Sequence, residues 1–255
     1  MVARMTVADL QKMKDDGKKI AAGVVYDAQM TRIFERAGVD LLSVGDSLGR
    51  NLLGYEKATD LGIEEMLVFG RAVSRTAQRA VVNVDMPTSV CDLGVTEVLK
   101  AARRIKEETS ADTTKVDIRG QEEELIDAVQ GIVESGLSAY PQIGFDFVAG
   151  GDMHGSPADH DHTLKWAHAV EDAGAALIDL TMVSHEIYAD VAKEIRIPVI
   201  GGQTGPEADG RIYVGYGLVG YQAQTIDRKD GPPSAAKLMY DVVQKALDDV
   251  HAGSW

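Results

Sequence analysis

Four residues could do chemistry if the fold brings them together. Asp46 follows the apolar run LLSVG, and Asp85 closes VVNV. Lys115 and Asp117 stand two apart in TTKVDI, so on an extended backbone they point to the same side. Carboxylate oxygens are hard donors that suit Mg²⁺ or Mn²⁺, directly or through water. A cation held there would bind a 2-oxo acid through its carboxylate and ketone oxygens and stabilise an enolate. Lys115 would hold a substrate carboxylate or offset developing negative charge. Ser47, beside Asp46, is a hydrogen-bond donor for a ligand carboxylate. Each residue has a plainer alternative. Asp46 and Asp85 could serve turns, Lys115 and Asp117 could form an internal ion pair, and Ser47 could satisfy its own backbone.

The elements that must position them alternate along the chain. Short apolar runs at 20–26, 39–45, 80–85, 113–118, 137–144, 176–181, 197–202 and 216–222 read as strands. Amphipathic stretches lie between them, at 63–78, 121–136, 162–173 and 185–195 among others. Thr6 and Asp27 are N-cap candidates for the first two helices. A further helix over 234–252 closes the chain. Strand–helix alternation argues for parallel strands with helices outside, and eight strands fit a closed (β/α)₈ TIM barrel. The rival, a doubly wound open sheet, lacks its GxGxxG turn after the first strand. No linker divides the chain, so 1–255 reads as a single TIM-barrel domain with a short N-terminal helix and a C-terminal helix. In such a barrel Asp46, Asp85, Lys115 and Asp117 all fall at C-terminal strand ends, the functional face.

Composition narrows the partners. A formal net charge of -14 over 255 residues disfavours nucleic acid. The single cysteine, Cys91, excludes an intrachain disulfide and a thiolate cluster. Residues 1–19 lack the apolar core of a secretory leader, and no apolar run reaches membrane length. The expectation is a cytoplasmic enzyme with a small-molecule partner, no nucleic acid and no membrane.

The block VVYDAQMTRIFERAGVDLLSVGDSLG (24–49), with NVDMPT (83–88), TKVDIRG (114–120) and IPVIGG (197–202), resembles the ketopantoate hydroxymethyltransferase family. That family sits within the phosphoenolpyruvate mutase and isocitrate lyase-like barrels. The resemblance covers nearly the whole chain. It implies a Mg²⁺-dependent aldol-type enzyme that transfers a one-carbon unit from methylenetetrahydrofolate to a branched 2-oxo acid, and a homo-oligomer, often a decamer. By this match Asp46 and Asp85 look like the metal carboxylates. Asp117 stands where the family has a glutamate near the metal. Ser47 and Lys115 look like substrate contacts.

The departures fall on proton handling. Gln142 in YPQIGFDF takes the place of the family's active-site histidine, and Thr181 in ALIDLTMVS takes that of its catalytic glutamate. Neither titrates near neutral pH. Asp179 shares a strand face with Thr181 and is a candidate replacement carboxylate, or else a buried structural acid. The polar loop GGDMHGSPADHDH (150–162) follows the fifth strand and could act as a lid, with His154 as a candidate acid/base. Its histidines could equally cap a helix or face water. Tyr26, ending the first strand, lines the pocket or packs.

The expected activity is therefore a divalent-metal-dependent carbon–carbon lyase or transferase on a 2-oxo acid, of aldol, retro-aldol or decarboxylation type. The alternatives are the family's own hydroxymethyl transfer, a metal-dependent hydrolase, and a non-catalytic binding protein.

Overall fold

The computed structural model describes residues 4–146, 151–232 and 234–254. It contains the expected parallel sheet of eight strands: β1 (Ile20–Val24), β2 (Leu41–Val44), β3 (Val81–Asp85), β4 (Thr113–Asp117), β5 (Ser138–Gly144), β6 (Ile178–Thr181), β7 (Val199–Ile200) and β8 (Gly210–Val214). Their order is β7-β6-β5-β4-β3-β2-β1-β8. Backbone bonds from Asp209 to Val199 and from Ile212 to Gly201, each 3.1 Å, bring the two ends together into a nearly closed barrel.

Helices surround it: α1 (Val7–Asp15), α2 (Ala28–Ala37), α3 (Ile63–Thr76), α4 (Thr88–Cys91), α5 (Val95–Thr109), α6 (Glu122–Glu134), α7 (Pro157–Asp172) and α8 (His185–Glu194). The longer ones bury a stripe of apolar side chains, such as Leu125, Ala128, Val129 and Ile132 on α6. The strands they cover are buried on both faces, as in Leu41–Val44 and Val81–Asp85. Both expected N-caps form. Thr6 and Asp9 make a reciprocal capping box, and Asp27 accepts from the amides of Gln29 and Met30.

Three boundaries differ from the sequence reading. The eighth strand is Gly210–Val214, and the apolar segment expected to form it, 216–222, opens with the short helix α9 (Gly215–Leu218). A short apolar run has no periodicity that separates strand from helix. Helix α7 begins at Pro157 rather than at 162, because Ser156 caps Asp159 and Pro157 suits the first helical position. His160 and His162 are therefore helical residues, and the expected loop ends before them; its first residue, Gly150, lies outside the described residues. The long connection after β2 contains a π-turn at Gly49–Leu53 and a 3₁₀ turn at Ala58–Asp60.

The chain separates into two compact units, residues 1–212 and 213–255. In the second, α10 (Ala235–Ala252) starts where the amides of Ala235 and Ala236 bond the carbonyls of Val219 and Gly220. Gly253 ends it in the left-handed conformation. No helix among the described residues is long and apolar enough to cross a membrane.

Candidate active site

Parallel register sets the site. Asp85 pairs with Lys115, Lys115 with Tyr140, Asp117 with Gln142, and Gln142 with Asp179. Residues in register on neighbouring parallel strands point the same way, so these side chains converge at the C-terminal end of the barrel.

Asp85 is the most constrained, at 1% exposure. Its Oδ1 accepts from Ser43 Oγ at 3.0 Å and from Asn83 Nδ2 at 2.6 Å. Its Oδ2 meets Lys115 Nζ at 2.9 Å and accepts from the Asp46 amide at 3.3 Å. Asn83 is itself held, donating to Ser43 Oγ and accepting from Thr113 Oγ1, each at 2.8 Å. All four residues of this network (Ser43, Asn83, Asp85, Thr113) are buried.

Lys115 bridges two strands, reaching Asp179 Oδ2 at 3.4 Å as well as Asp85. Burial works against its charge, but Asp85, Asp179 and Asp46 outweigh it and hold the ammonium well above the usual lysine range. Asp179 is pushed upward by burial, against the pull of Lys115 and Arg119. Asp46 is also raised, chiefly by burial and further by repulsion from Asp85 and Asp117, while Lys115 and a 3.3 Å bond from Thr88 Oγ1 act the other way.

Asp117 reaches the mouth, but both of its oxygens are taken by Arg119. The guanidinium meets them with Nε at 2.8 Å and Nη2 at 2.5 Å, and Nη1 donates to the Phe145 carbonyl at 2.8 Å. Such a fork is strong and directional. Ser47 and Tyr26 come together at 2.8 Å, and Asn51 donates to the Tyr26 hydroxyl at 3.0 Å.

Gln142 and Thr181, expected at the family's proton-handling positions, bond each other. Gln142 Nε2 donates to Thr181 Oγ1 at 2.8 Å. Gly144 lets these strands meet, since it lies at φ +103° and a Cβ there would sit 2.3 Å from the Thr181 carbonyl. Met182, next in the chain, is a non-glycine residue at φ 58°. Its carbonyl accepts from the His154 amide at 2.9 Å, which ties the start of the histidine segment to the exit of β6. The His154 ring stacks on Phe145, centroids 3.8 Å apart and planes 7° from parallel. Its Nδ1 lies 3.4 Å from Asp159 Oδ1. His160 lies 3.3 Å from Asp190, and His162 lies 3.4 Å from Glu122 while its ring tilts against the same Phe145, centroids 5.3 Å apart.

The expected residues thus assemble, but several that hold them were not anticipated. Asn83 stands two residues before Asp85 on the same strand face, and that parity was the available signal, whereas Arg119 lies in the turn after β4, two residues past Asp117. Thr88 and Ser43 carried none. Tyr140 points into the same layer, fully buried, and its hydroxyl has no hydrogen-bond partner among the described residues.

The model of the ketopantoate hydroxymethyltransferase family matches residues 4–251. The chain belongs to that family. It is 32% identical over 253 residues to the 3-methyl-2-oxobutanoate hydroxymethyltransferase of Leifsonia xyli subsp. xyli (strain CTCB07), covering 94% of this chain and 90% of the relative. Membership makes it an enzyme. Solved structures of much lower identity share the fold. A crystal structure of phosphonopyruvate hydrolase with oxalate and Mg²⁺ superposes with a TM-score of 0.64 at 14% identity, covering 97% of this chain and 99% of the other. One of 2,3-dimethylmalate lyase gives 0.64 at 12%, covering 96% and 98%.

A divalent cation is implied by the family, and the residues fit one on chemical grounds. Asp46, Asp85, Asp117 and Asp179 face Lys115 and Arg119, so the ionised mouth is short of two positive charges. Asp46 is raised chiefly by burial, and repulsion from Asp85 and Asp117 adds to it. No group of three His, Cys, Asp or Glu side chains forms a ready metal cage among the described residues. Mg²⁺ does not need one, since it is commonly held by one or two carboxylates and fills its octahedron with water and substrate oxygens.

Proposed function

We propose that this member of the ketopantoate hydroxymethyltransferase family is a divalent-metal-dependent enzyme that breaks or forms a carbon–carbon bond beside the ketone of a 2-oxo acid. Asp46 and Asp85 would hold Mg²⁺ or Mn²⁺, with Asp117 behind them, fixed by Arg119. The bound cation supplies Lewis acidity to the substrate's ketone oxygen. Ser47, positioned by Tyr26, donates to the substrate carboxylate. The Lys115 ammonium lies where negative charge develops.

The observation that carries the direction of reaction is the Gln142–Thr181 pair. A family base at these positions would abstract a C–H proton, whereas an amide bonded to a hydroxyl orients substrate and takes no proton at neutral pH. Cleavage makes a smaller demand, because the electrons come from the breaking bond. At most a hydroxyl proton must leave, and none for a decarboxylation. Asp179 is a buried carboxylate with raised proton affinity, which suits it to accept that proton. His154, backed by Asp159 at the rim, is the other candidate.

Family membership favours a second reading, hydroxymethyl transfer itself, with Asp179 as the replacement base. One assay separates the two. The purified protein with Mg²⁺ is given a panel of 4-hydroxy-2-oxo acids, and in parallel methylenetetrahydrofolate with 3-methyl-2-oxobutanoate. EDTA-sensitive cleavage with little transfer is expected. Ketopantoate formed faster than about 1 s⁻¹, the low end of ordinary turnover, would overturn the cleavage reading.

A further inference from the structure

An ionised carboxylate offers about four acceptor positions. At Asp85 all of them are filled: Ser43 and Asn83 occupy Oδ1, and the Asp46 amide and Lys115 occupy Oδ2. A cation can reach this carboxylate only if a donor leaves. Ser43 and Asn83 are buried and bonded to each other, and Asn83 is bonded again to Thr113. The Asp46 donor is backbone. Lys115 alone sits at the end of a flexible stem, and it already has a second carboxylate within reach, Asp179 Oδ2 at 3.4 Å.

We propose that Lys115 is a built-in counter-ion that stands in the cation's place on Asp85 and is displaced when the cation binds, releasing its ammonium toward Asp179 and the substrate carboxylate. The proposal rests on the reading of Asp46 and Asp85 as cation ligands. Two consequences follow from the geometry. Lys115 lowers the affinity for the metal alone, since binding must first break a 2.9 Å ion pair. It also couples the two ligands, because the ammonium freed by the metal is the group that receives the anion. By linkage, the anion then tightens the metal by the same factor.

Calorimetry tests this with Mg²⁺ alone and then with oxalate, a planar dicarboxylate, as the anion probe. The proteins are the wild type, Lys115→Met, Lys115→Arg and Asp85→Asn. Lys115→Met is expected to bind Mg²⁺ more tightly than the wild type, by about 5–150-fold, the usual size of a coupling between sites. Lys115→Arg keeps the charge and should bind no more tightly. The mutual tightening of Mg²⁺ and oxalate should be smaller in Lys115→Met than in the wild type. If circular dichroism shows Lys115→Met unfolded, Lys115→Gln, which keeps a donor without charge, is judged by the same standard. Folded uncharged variants that bind Mg²⁺ no better than the wild type overturn the displacement and leave the ligand assignment standing. A wild type that binds no Mg²⁺, or an Asp85→Asn that binds it equally well, overturns the ligand assignment itself.

Discussion

Replacing Asn83 by leucine, close in shape but without polar atoms, isolates what fixes Asp85. Asn83 Nδ2 donates to Asp85 Oδ1 at 2.6 Å and to Ser43 Oγ at 2.8 Å, and its Oδ1 accepts from Thr113 Oγ1 at 2.8 Å. A hydrogen bond to a charged group contributes about 1.5–3 kcal/mol, and a buried hydroxyl left without a partner costs about 1–3 kcal/mol. Asn83→Leu removes the first and creates the second at Thr113, so a loss of about 2.5–6 kcal/mol is expected. For a domain of this size each kcal/mol lowers Tm by about 2–4 °C, giving a fall of roughly 5–24 °C by calorimetric or circular-dichroism melting. Adding Thr113→Val removes the orphaned hydroxyl and should restore about 1–3 kcal/mol of the loss. The reasoning is refuted if Asn83→Leu costs less than about 1 kcal/mol, or if the double variant is no more stable than the single one.

Three further outcomes are expected. Tyr140→Phe deletes a buried hydroxyl that bonds nothing among the described residues, so Tm should hold or rise; a clear drop would mean that the hydroxyl is satisfied. Asp179 binds its proton more tightly folded than unfolded, so between its ordinary value of 3.8 and its raised folded value the native state carries the extra proton and stability falls as pH rises. Urea titrations across that window should show the slope in the wild type and a shallower one in Asp179→Asn, where Asp46, also raised, keeps its share; a slope that persists unchanged would exclude Asp179 as a source. Finally, Mg²⁺ at about one hundred times its Kd should stabilise the wild type by about 2.7 kcal/mol. Asp85→Ala should show no such gain in melting experiments, and an equal gain would remove Asp85 from the ligand set.

Alternation of apolar runs with amphipathic helices was enough to read the barrel, because strands buried on both faces leave a clear apolar signature. It failed at β8, where GRIYV carries an exposed arginine and a glycine that presses on β1: a Cβ at Gly210 would lie 2.3 Å from the Ile20 carbonyl. The neighbouring run, 216–222, looked more strand-like. Asp46, Asp85, Lys115 and Asp117 were legible because strand ends are where a barrel places chemistry. What those residues bond to was not. Lys115 spanning from Asp85 to Asp179 depends on side chains crossing between strands that lie far apart in sequence, and Arg119 engaging Asp117 depends on the turn that follows β4. The same holds for His154, whose position depends on a backbone bond to Met182 and a ring contact with Phe145 rather than on its own sequence neighbourhood.

Gln142 and Thr181 come from neighbouring strands and are joined by one hydrogen bond, so neither position can be altered independently. A histidine at 142 would stand beside a threonine that can relay no proton onward. A glutamate at 181, introduced first, would add a fifth carboxylate to a mouth already short of positive charge. Any mutational path between this pair and a titratable one therefore crosses a disfavoured single mutant, unless a bound cation is present to compensate. Laboratory evolution toward one-carbon transfer should recover the two substitutions together, and selection at high Mg²⁺ should make the path with glutamate first passable.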